Sequence, residues 1–127
     1  MKLKVVSPIF GFEELKEFLF EDIDDYFASI SFDDITFTLI KADKVRDYKI
    51  SLDEAYLELL ELEDSSSLGV YASVILQDPI EKSLINFAAP IIINHDKNLL
   101  AQIALDSQKY KDYGLAEPIS KYLEEKA

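Results

Sequence analysis

The chain has 127 residues, the usual size of one domain, so we expect a single domain spanning 1–127. It contains no cysteine, which excludes disulfides and thiolate metal sites. Its formal net charge of −12 disfavours direct binding to nucleic acids and to anionic membranes, because both are negatively charged. No segment approaches the roughly 18 apolar residues of a membrane-spanning helix, so the sequence predicts a globular cytoplasmic protein.

The first third of the chain alternates apolar and polar side chains with period two, as half-buried strands do. Serine and threonine separate the apolar residues of two neighbouring runs, and Asp33-Asp34 between the runs predicts a hairpin turn. Shorter alternations precede them, one of them marked by Phe18 and Phe20. The strands predicted in this part are 2–5, 18–23, 28–32 and 35–39.

In the rest of the chain, turn-forming residues close the apolar runs. Asp78-Pro79 ends one run, and the segment 95–98 forms a turn between two others. The strands predicted here are 69–77, 80–87, 88–94 and 99–106. With about eight short strands, the sequence predicts a mainly β fold, a small antiparallel β-barrel or sandwich with one or two short helices.

Two stretches have the period of a helix instead. The first has apolar residues on one face, namely Leu52, Ala55, Tyr56, Leu59 and Leu60. Ser51 and Glu54 have the spacing of a capping box, so we predict a helix near 51–62 that plugs one end of the barrel. A second stripe, with Pro118 in its first turn, predicts a helix that packs outside or frays, and its apolar residues are Leu115, Ile119, Tyr122 and Leu123.

The predicted core unites the apolar faces of several strands. Residues on one face of a strand are two positions apart, so alternate apolar residues are expected to meet. We predict that the following residues are buried together: Phe37, Leu39, Ile91, Ile93, Ile103 and Leu105.

No catalytic or metal-binding pattern stands out. His95 beside Asp96 is either a general base or a solvated turn residue, and we favour the second interpretation. The acidic pairs are either functional carboxylates or a solvated surface, and we again favour the second. A calcium loop starting at Asp22 lacks its required glycine, because Phe27 stands at the sixth position. We therefore expect a binding protein without metal or cofactor rather than an enzyme.

The apolar strand pair carries a family resemblance. Residues 85–94 read INFAAPIIIN and 101–105 read AQIAL, which resembles the N-L-x-A-P-I-V-I-N strand pair, with a following Gln and Tyr, of the flagellar assembly factor family FliW. Upstream, 9–13 resembles the family's G-L-P-G-F-E opening. The departures are Ser7-Pro8-Ile9-Phe10 in place of the usual Gly-Leu-Pro before Gly11, Ala42 in place of a usual proline, and Phe32 near a usual serine. The matching motif residues, interpreted as structural, are Asn86, Pro90, Asn94, Gln102 and Tyr110. For Asn94 and Gln102, contact with a partner is the alternative.

The resemblance implies a barrel-like β fold and a regulatory function. FliW proteins bind CsrA, a small dimeric RNA-binding translational repressor, and flagellin competes for them, so that flagellin synthesis follows flagellin export. The resemblance thus implies that this chain binds CsrA and flagellin. Two alternatives stay open: a flagellin-binding chaperone without a CsrA partner, and an enzyme, which would need a deep pocket with a perturbed carboxylate.

An acidic chain is expected to meet the basic surface of CsrA through an acidic patch. The acids at strand and helix ends project furthest, and they cluster in a hairpin turn and in a loop after the predicted helix. The predicted patch consists of Asp33, Asp34, Glu61, Glu63 and Asp64.

Overall fold

The structure, a computed structural model, describes residues 1–63 and 67–123, the last of these without its side chain. Most elements are short strands. The strands are β1 (Lys2–Ser7), β2 (Glu17–Asp22), β3 (Phe27–Phe32), β4 (Ile35–Lys41), β5 (Leu68–Ile75), β6 (Leu84–Asn94), β7 (Leu99–Gln102) and β8 (Glu117–Pro118). The helices are α1 (Ala42–Val45), α2 (Glu54–Leu59) and α3 (Ser120–Leu123), with a 3₁₀ turn at Ile80–Lys82. The prediction of a mainly β fold with about eight strands is confirmed. The predicted strands 80–87 and 88–94 are instead one strand, β6, and the eighth strand is the short β8, which was not predicted.

Seven of the strands close into a barrel in chain order. Each strand from β1 to β7 is antiparallel to the next, and β7 returns to lie beside β1. The β1–β7 pair is parallel, with Lys4 opposite Leu99 and Val5 opposite Leu100. A closed meander with an odd number of strands must contain one parallel pair, because the first and last strands run in the same direction. The barrel is therefore mixed rather than wholly antiparallel, and β8 lies outside it on β6.

The barrel interior is filled by alternate residues of its strands. Leu39, Ile91 and Ile93 are buried there with Phe37 packed against them, as predicted. Ile103 was expected in the same cluster, and that expectation is wrong. The β6–β7 register puts Ile92 opposite Ala101 on the outer face, and Ile103, two residues further, faces outward as well. Leu105 likewise packs against the outer clusters.

Helix α2 covers part of this outer face. It is shorter than predicted, because Asp53 rather than Ser51 precedes its first turn and no side chain caps it. Tyr56 and Leu60 pack on Ile92 and its outward-facing neighbours in β7. The predicted plug is wrong, since side chains already fill the interior and the helix binds the outside of the wall.

The C-terminal segment covers another part of the outer wall. Ile119 and Tyr122 are buried against Ile85 and Phe87, so these two residues of the predicted stripe pack outside the barrel. Pro118 lies in strand β8 rather than in the first turn of the helix, so that part of the prediction is wrong, and the side chain of Leu123 lies outside the described residues. Leu115 is 68% exposed and does not belong to the stripe. Among the described residues, no helix has the length and hydrophobicity that crossing a bilayer requires.

Candidate interaction surfaces

The family-motif residues of β6 shape an irregularity in the barrel wall. The register with β5 shifts so that Tyr71 opposes Ile91 while Ser73 opposes Asn86, which leaves several extra residues in β6. Asn86 Oδ1 accepts hydrogen bonds from the backbone N–H groups of residues 88 and 89, at 3.0 and 3.2 Å. Pro90 fits this bulge, because a residue without an N–H weakens a regular ladder. Asn86 and Pro90 thus both support the backbone conformation of the barrel wall.

Asn94 ties helix α2 to the β6–β7 turn. Its side chain is fully buried, and its Nδ2 donates to the carbonyls of Leu60 and Glu61 at 2.7 and 3.2 Å. Its Oδ1 accepts from the N–H groups of Asp96 and Lys97 at 3.0 and 3.3 Å. Every polar atom of this buried amide is therefore used inside the chain, as buried amides require.

Gln102 holds the loop after β1 against the barrel. Its Oε1 accepts from the backbone N–H of Phe10 at 2.8 Å, and its Nε2 donates to the carbonyl of Ala89 at 3.0 Å. The loop anchored in this way presents the Phe10 side chain, which is 50% exposed. Gln102 acts on the surface only through the loop that it positions.

Tyr110 closes the segment before α2. Its hydroxyl accepts the backbone N–H of Ser51 at 2.8 Å, which lowers the pKa of the phenol. Its ring stacks on Tyr113, with centroids 5.6 Å apart. Ser51 is therefore engaged by Tyr110 instead of capping the helix. The geometry of all five motif residues agrees with a structural role.

His95 is half-buried rather than solvated. Its Nε2 shares a hydrogen bond of 2.9 Å with the Tyr71 hydroxyl, and its ring lies edge-on to Phe20 at 5.1 Å. Burial lowers the pKa of His95, so the neutral ring is favoured, and burial raises the pKa of Tyr71 to about 12. The Tyr71–His95 pair closes one end of the barrel, and the histidine acts there as a packing residue.

The predicted acidic patch divides into two parts. Asp33 and Asp34 form the β3–β4 turn, at the end of the barrel where β4 begins. Glu61 and Glu63 follow α2. Asn94 holds the end of α2 beside the first residues of β5, which pair with the last residues of β4, so these two acids lie at the other end of the barrel. All four acids are exposed, and Asp64 lies outside the described residues. The structure thus brings each pair together but separates the two pairs, which are named here the hairpin edge (33–34) and the helix edge (61–63).

Exposed apolar side chains accompany both acidic edges. Ile75 and Leu76, 58% and 54% exposed, end β5 on the side of the hairpin edge. Leu59 and Leu68, 45% and 47% exposed, lie on the side of the helix edge. Aromatic and aliphatic groups flanked by charges are typical of protein-binding surfaces.

Two carboxylates, those of Asp24 and Glu117, have perturbed pKa values. Backbone N–H groups of residues 26 and 27 lower the pKa of exposed Asp24. Burial opposes ionisation of Glu117, but hydrogen bonds from Tyr122 and the Gly114 N–H, with the charge of Arg46, outweigh it and lower the pKa. Both groups are thus stabilised as anions, whereas a general acid at neutral pH needs a raised pKa. Within 1–63 and 67–123, no group of three or more metal-ligating side chains is assembled.

Two features were missed by the sequence reading. Arg46 lies over the rings of Phe87 and Tyr113, at 5.0 and 4.8 Å, and pairs with Glu117 at 3.1 Å. Four lysines also line one groove beside the parallel β1–β7 pair. In both cases, the residues that come together are far apart in the sequence. The only sequence pattern that pointed to either feature was the alternation of Lys2 and Lys4 in β1.

These features define a small, acidic, closed β-barrel domain with two acidic edges and one basic groove. The family model described as "FliW protein" matches residues 1–119. The chain is 37% identical over 129 residues to the flagellar assembly factor FliW of Campylobacter lari, covering 98% of both chains. It is 41% identical over 126 residues to the same factor of Sulfurimonas denitrificans, covering 97% of this chain and 98% of that one. The chain belongs to the FliW family.

A solved structure shows the same fold. A crystal structure of the flagellar assembly factor FliW superposes with a TM-score of 0.81, at 25% sequence identity. The match covers 93% of this chain and 84% of that one. The solved FliW structure therefore shares the fold described above.

Proposed function

We propose that this chain is a cytoplasmic flagellar assembly factor that binds and antagonises CsrA and also binds flagellin, which couples flagellin synthesis to export. The observation that carries the proposal is the family match over residues 1–119, together with relatives named flagellar assembly factors that align over nearly their whole length. The chain acts by binding rather than by catalysis.

Charge favours CsrA as one partner. A protein that binds RNA needs a basic surface, and a chain with 25 acidic against 13 basic residues attracts such a surface over a distance. The hairpin edge and the helix edge carry their acids in exposed segments outside the strands, so a partner can contact them without disturbing the barrel wall. Electrostatic attraction of this kind acts mainly on the association rate.

Apolar contacts favour flagellin as the other partner. A subunit awaiting export has apolar surface to cover, and exposed side chains such as Ile75 and Leu68 supply matching area at the two edges. The alternative function is a flagellin-binding chaperone with no CsrA partner. The two functions differ in a single observable, which is whether purified CsrA forms a complex with the chain.

Two variants with the same change in charge separate the edges. Asp33 and Glu61 have φ values of 52° and 51°, so asparagine, which tolerates this backbone, replaces them. The hairpin-edge variant is Asp33→Asn with Asp34→Lys, and the helix-edge variant is Glu61→Asn with Glu63→Lys. Each variant is the matched control for the other, because any general loss of negative charge affects both alike.

The measurement is the association rate of CsrA and of flagellin at low and high salt. We expect the CsrA rate to fall steeply with salt and to fall further in the variant whose edge docks CsrA, while the flagellin rate changes less. If both variants bind CsrA as fast as the unmodified chain, the acidic edges are not the docking surface. If the unmodified chain binds flagellin but not CsrA, the chaperone function replaces the proposed one.

A further inference from the structure

A basic groove lies on the side of this otherwise acidic barrel. Lys2 and Lys4 of β1, Lys16 before β2 and Lys97 of the β6–β7 turn line it, with a volume of about 500 Å³. They are four of only 13 basic residues in the chain, whereas Glu17 is the single acid in the lining. A concentration of one charge against the sign of the whole molecule indicates a local binding role.

The parallel strand pair brings the lysines together. Leu3 points into the core, so Lys2 and Lys4 on either side of it face outward. Lys4 is opposite Leu99, and its N–H donates to the Asn98 carbonyl at 2.8 Å, which places the β6–β7 turn and Lys97 beside β1. The groove is therefore fixed by backbone pairing rather than by mobile loops.

The charges of the groove are poorly neutralised within the chain. Lys2 lies 3.8 Å from Glu17, in a pair that is 67% and 48% exposed, and such pairs contribute little. Lys16 donates to the carbonyl of Glu13 at 3.0 Å. Lys4 and Lys97 form no salt bridge with any described residue. Two lysines are thus available to an external carboxylate.

One polar atom in the lining lacks a partner. Asn98 Oδ1 is buried and accepts no hydrogen bond from the described part of the chain. Buried acceptors in native proteins are normally paired, and a rotation of the half-buried Asn98 side chain would bring this oxygen to a donor seated in the groove. A phosphodiester or a carboxylate has no proton to donate at neutral pH, whereas a peptide N–H has one.

The groove continues into an apolar notch. Lys2 and Glu17 line both, and the notch of about 210 Å³ adds Leu19 and Phe32 and reaches Asp33 of the hairpin edge. Leu19 is 54% exposed although it lies in the middle of β2. An apolar side chain fits beside the lysines here.

We propose that this groove docks an acidic segment of a partner protein. The segment places carboxylates against Lys4 and Lys97, donates a backbone N–H to Asn98 Oδ1 and seats one apolar side chain beside Leu19. A protein segment is favoured over a nucleic acid, because a long polyanion extends beyond the groove and meets the acidic remainder of the surface. The notch reaches Asp33 of the hairpin edge, but the four lysines lie outside both acidic edges, so a test at Lys4 and Lys97 leaves the edges unchanged.

The probe is a short fluorescent peptide rich in Asp and Glu with one Leu, and its binding is measured by fluorescence anisotropy at physiological salt. There the screening length is about 8 Å, so distant acids of the chain contribute little. The groove variant is Lys4→Glu with Lys97→Glu. The matched control is Lys49→Glu with Lys111→Glu, which changes the net charge equally at exposed lysines outside the groove.

We expect the groove variant to lose at least about tenfold in affinity, which corresponds to 1.4 kcal/mol, while the control stays within about twofold. Asn98→Gly, which keeps the positive φ of 57°, should weaken peptide binding without lowering the melting temperature. Equal losses in groove variant and control, or no binding by the unmodified chain, would overturn the proposal. Tighter binding of a single-stranded RNA oligonucleotide than of the peptide would make the groove a nucleic-acid site instead.

Discussion

Asn94 provides the sharpest test of how the motif residues work. If the Asn94 amide is structural, Asn94→Ala removes the hydrogen bonds that join the end of helix α2 to the β6–β7 turn. Partner binding is then lost only to the extent that the variant unfolds. The Leu60 carbonyl is the group most affected, because Leu60 is fully buried and water cannot replace the lost donor. The N–H groups of Asp96 and Lys97 belong to exposed residues and can bind water.

The expected loss follows from these contacts. Leaving one buried carbonyl without a donor costs about 1–3 kcal/mol, and the weaker bond to the Glu61 carbonyl adds up to about 1 kcal/mol. We therefore expect Asn94→Ala to destabilise the chain by about 1–4 kcal/mol. At about 4 °C per kcal/mol for a domain of this size, the melting temperature falls by about 4–16 °C.

The assay is urea and thermal unfolding followed by circular dichroism. Asn94→Asp sharpens it, because an ionised carboxylate would face two carbonyl oxygens and should destabilise at least as much at pH 7. Protonation restores a donor, so this variant should recover relative to Asn94→Ala as the pH falls. Gln108→Ala, at an exposed amide, is the control and should stay within about 0.5 kcal/mol. Normal stability of Asn94→Ala with loss of a partner would refute the structural role.

Three further predictions concern the barrel interior. Ile93→Ala should cost about 2–5 kcal/mol, since Ile93 is fully buried in the barrel, and an unchanged urea midpoint would contradict its placement. Gly69→Ala should destabilise by about 1–3 kcal/mol, because its Cβ would lie 2.5 Å from the Tyr71 ring and 2.7 Å from His95 Nε2; a neutral effect on the melting temperature would show that the rings give way. Burial lowers the pKa of His95 from 6.5, so the unfolded chain binds the proton more readily and stability declines as the pH falls below that value. His95→Gln should remove this part of the decline in melting temperature, while partner affinity between about pH 6 and 7.5 stays constant; a steep affinity change abolished by His95→Gln would show that the ring titrates at the interface.

Much of the fold was accessible from local pattern. The alternation in 28–32 and 35–39 predicted β3, β4 and the turn at Asp33-Asp34, because period two reports which face of a strand is buried. The parallel β1–β7 pair was not accessible in the same way. It depends on the number of strands that close the barrel, which no single strand encodes.

The placement of outward-facing residues failed for a related reason. In 99–106 both faces are apolar, since one lines the barrel and the other lies under α2, so alternation cannot say which is inside. Because the inner and outer faces could not be distinguished, α2 was predicted to plug the barrel, whereas it covers the outer wall. The capping box is not formed, because the helix begins at Glu54 after Asp53 and the Ser51 N–H that Glu54 would have accepted is donated to the distant Tyr110 hydroxyl.

The interaction surfaces depended even more on tertiary structure. The acids of the two edges look alike in the sequence, but they lie at opposite ends of the barrel, one set where β4 begins and the other near the start of β5. The lysine groove joins residues 2 and 97 through backbone pairing. Such surfaces become visible only when the register of the barrel is known.

Competition between the two proposed partners tests the proposed function most directly. Labelled CsrA is bound to the purified chain, unlabelled flagellin is titrated in, and release of CsrA is followed by fluorescence anisotropy. We predict a stable complex with CsrA from which flagellin releases CsrA in a saturable manner. A chain that binds flagellin but never forms a complex with CsrA would contradict the account.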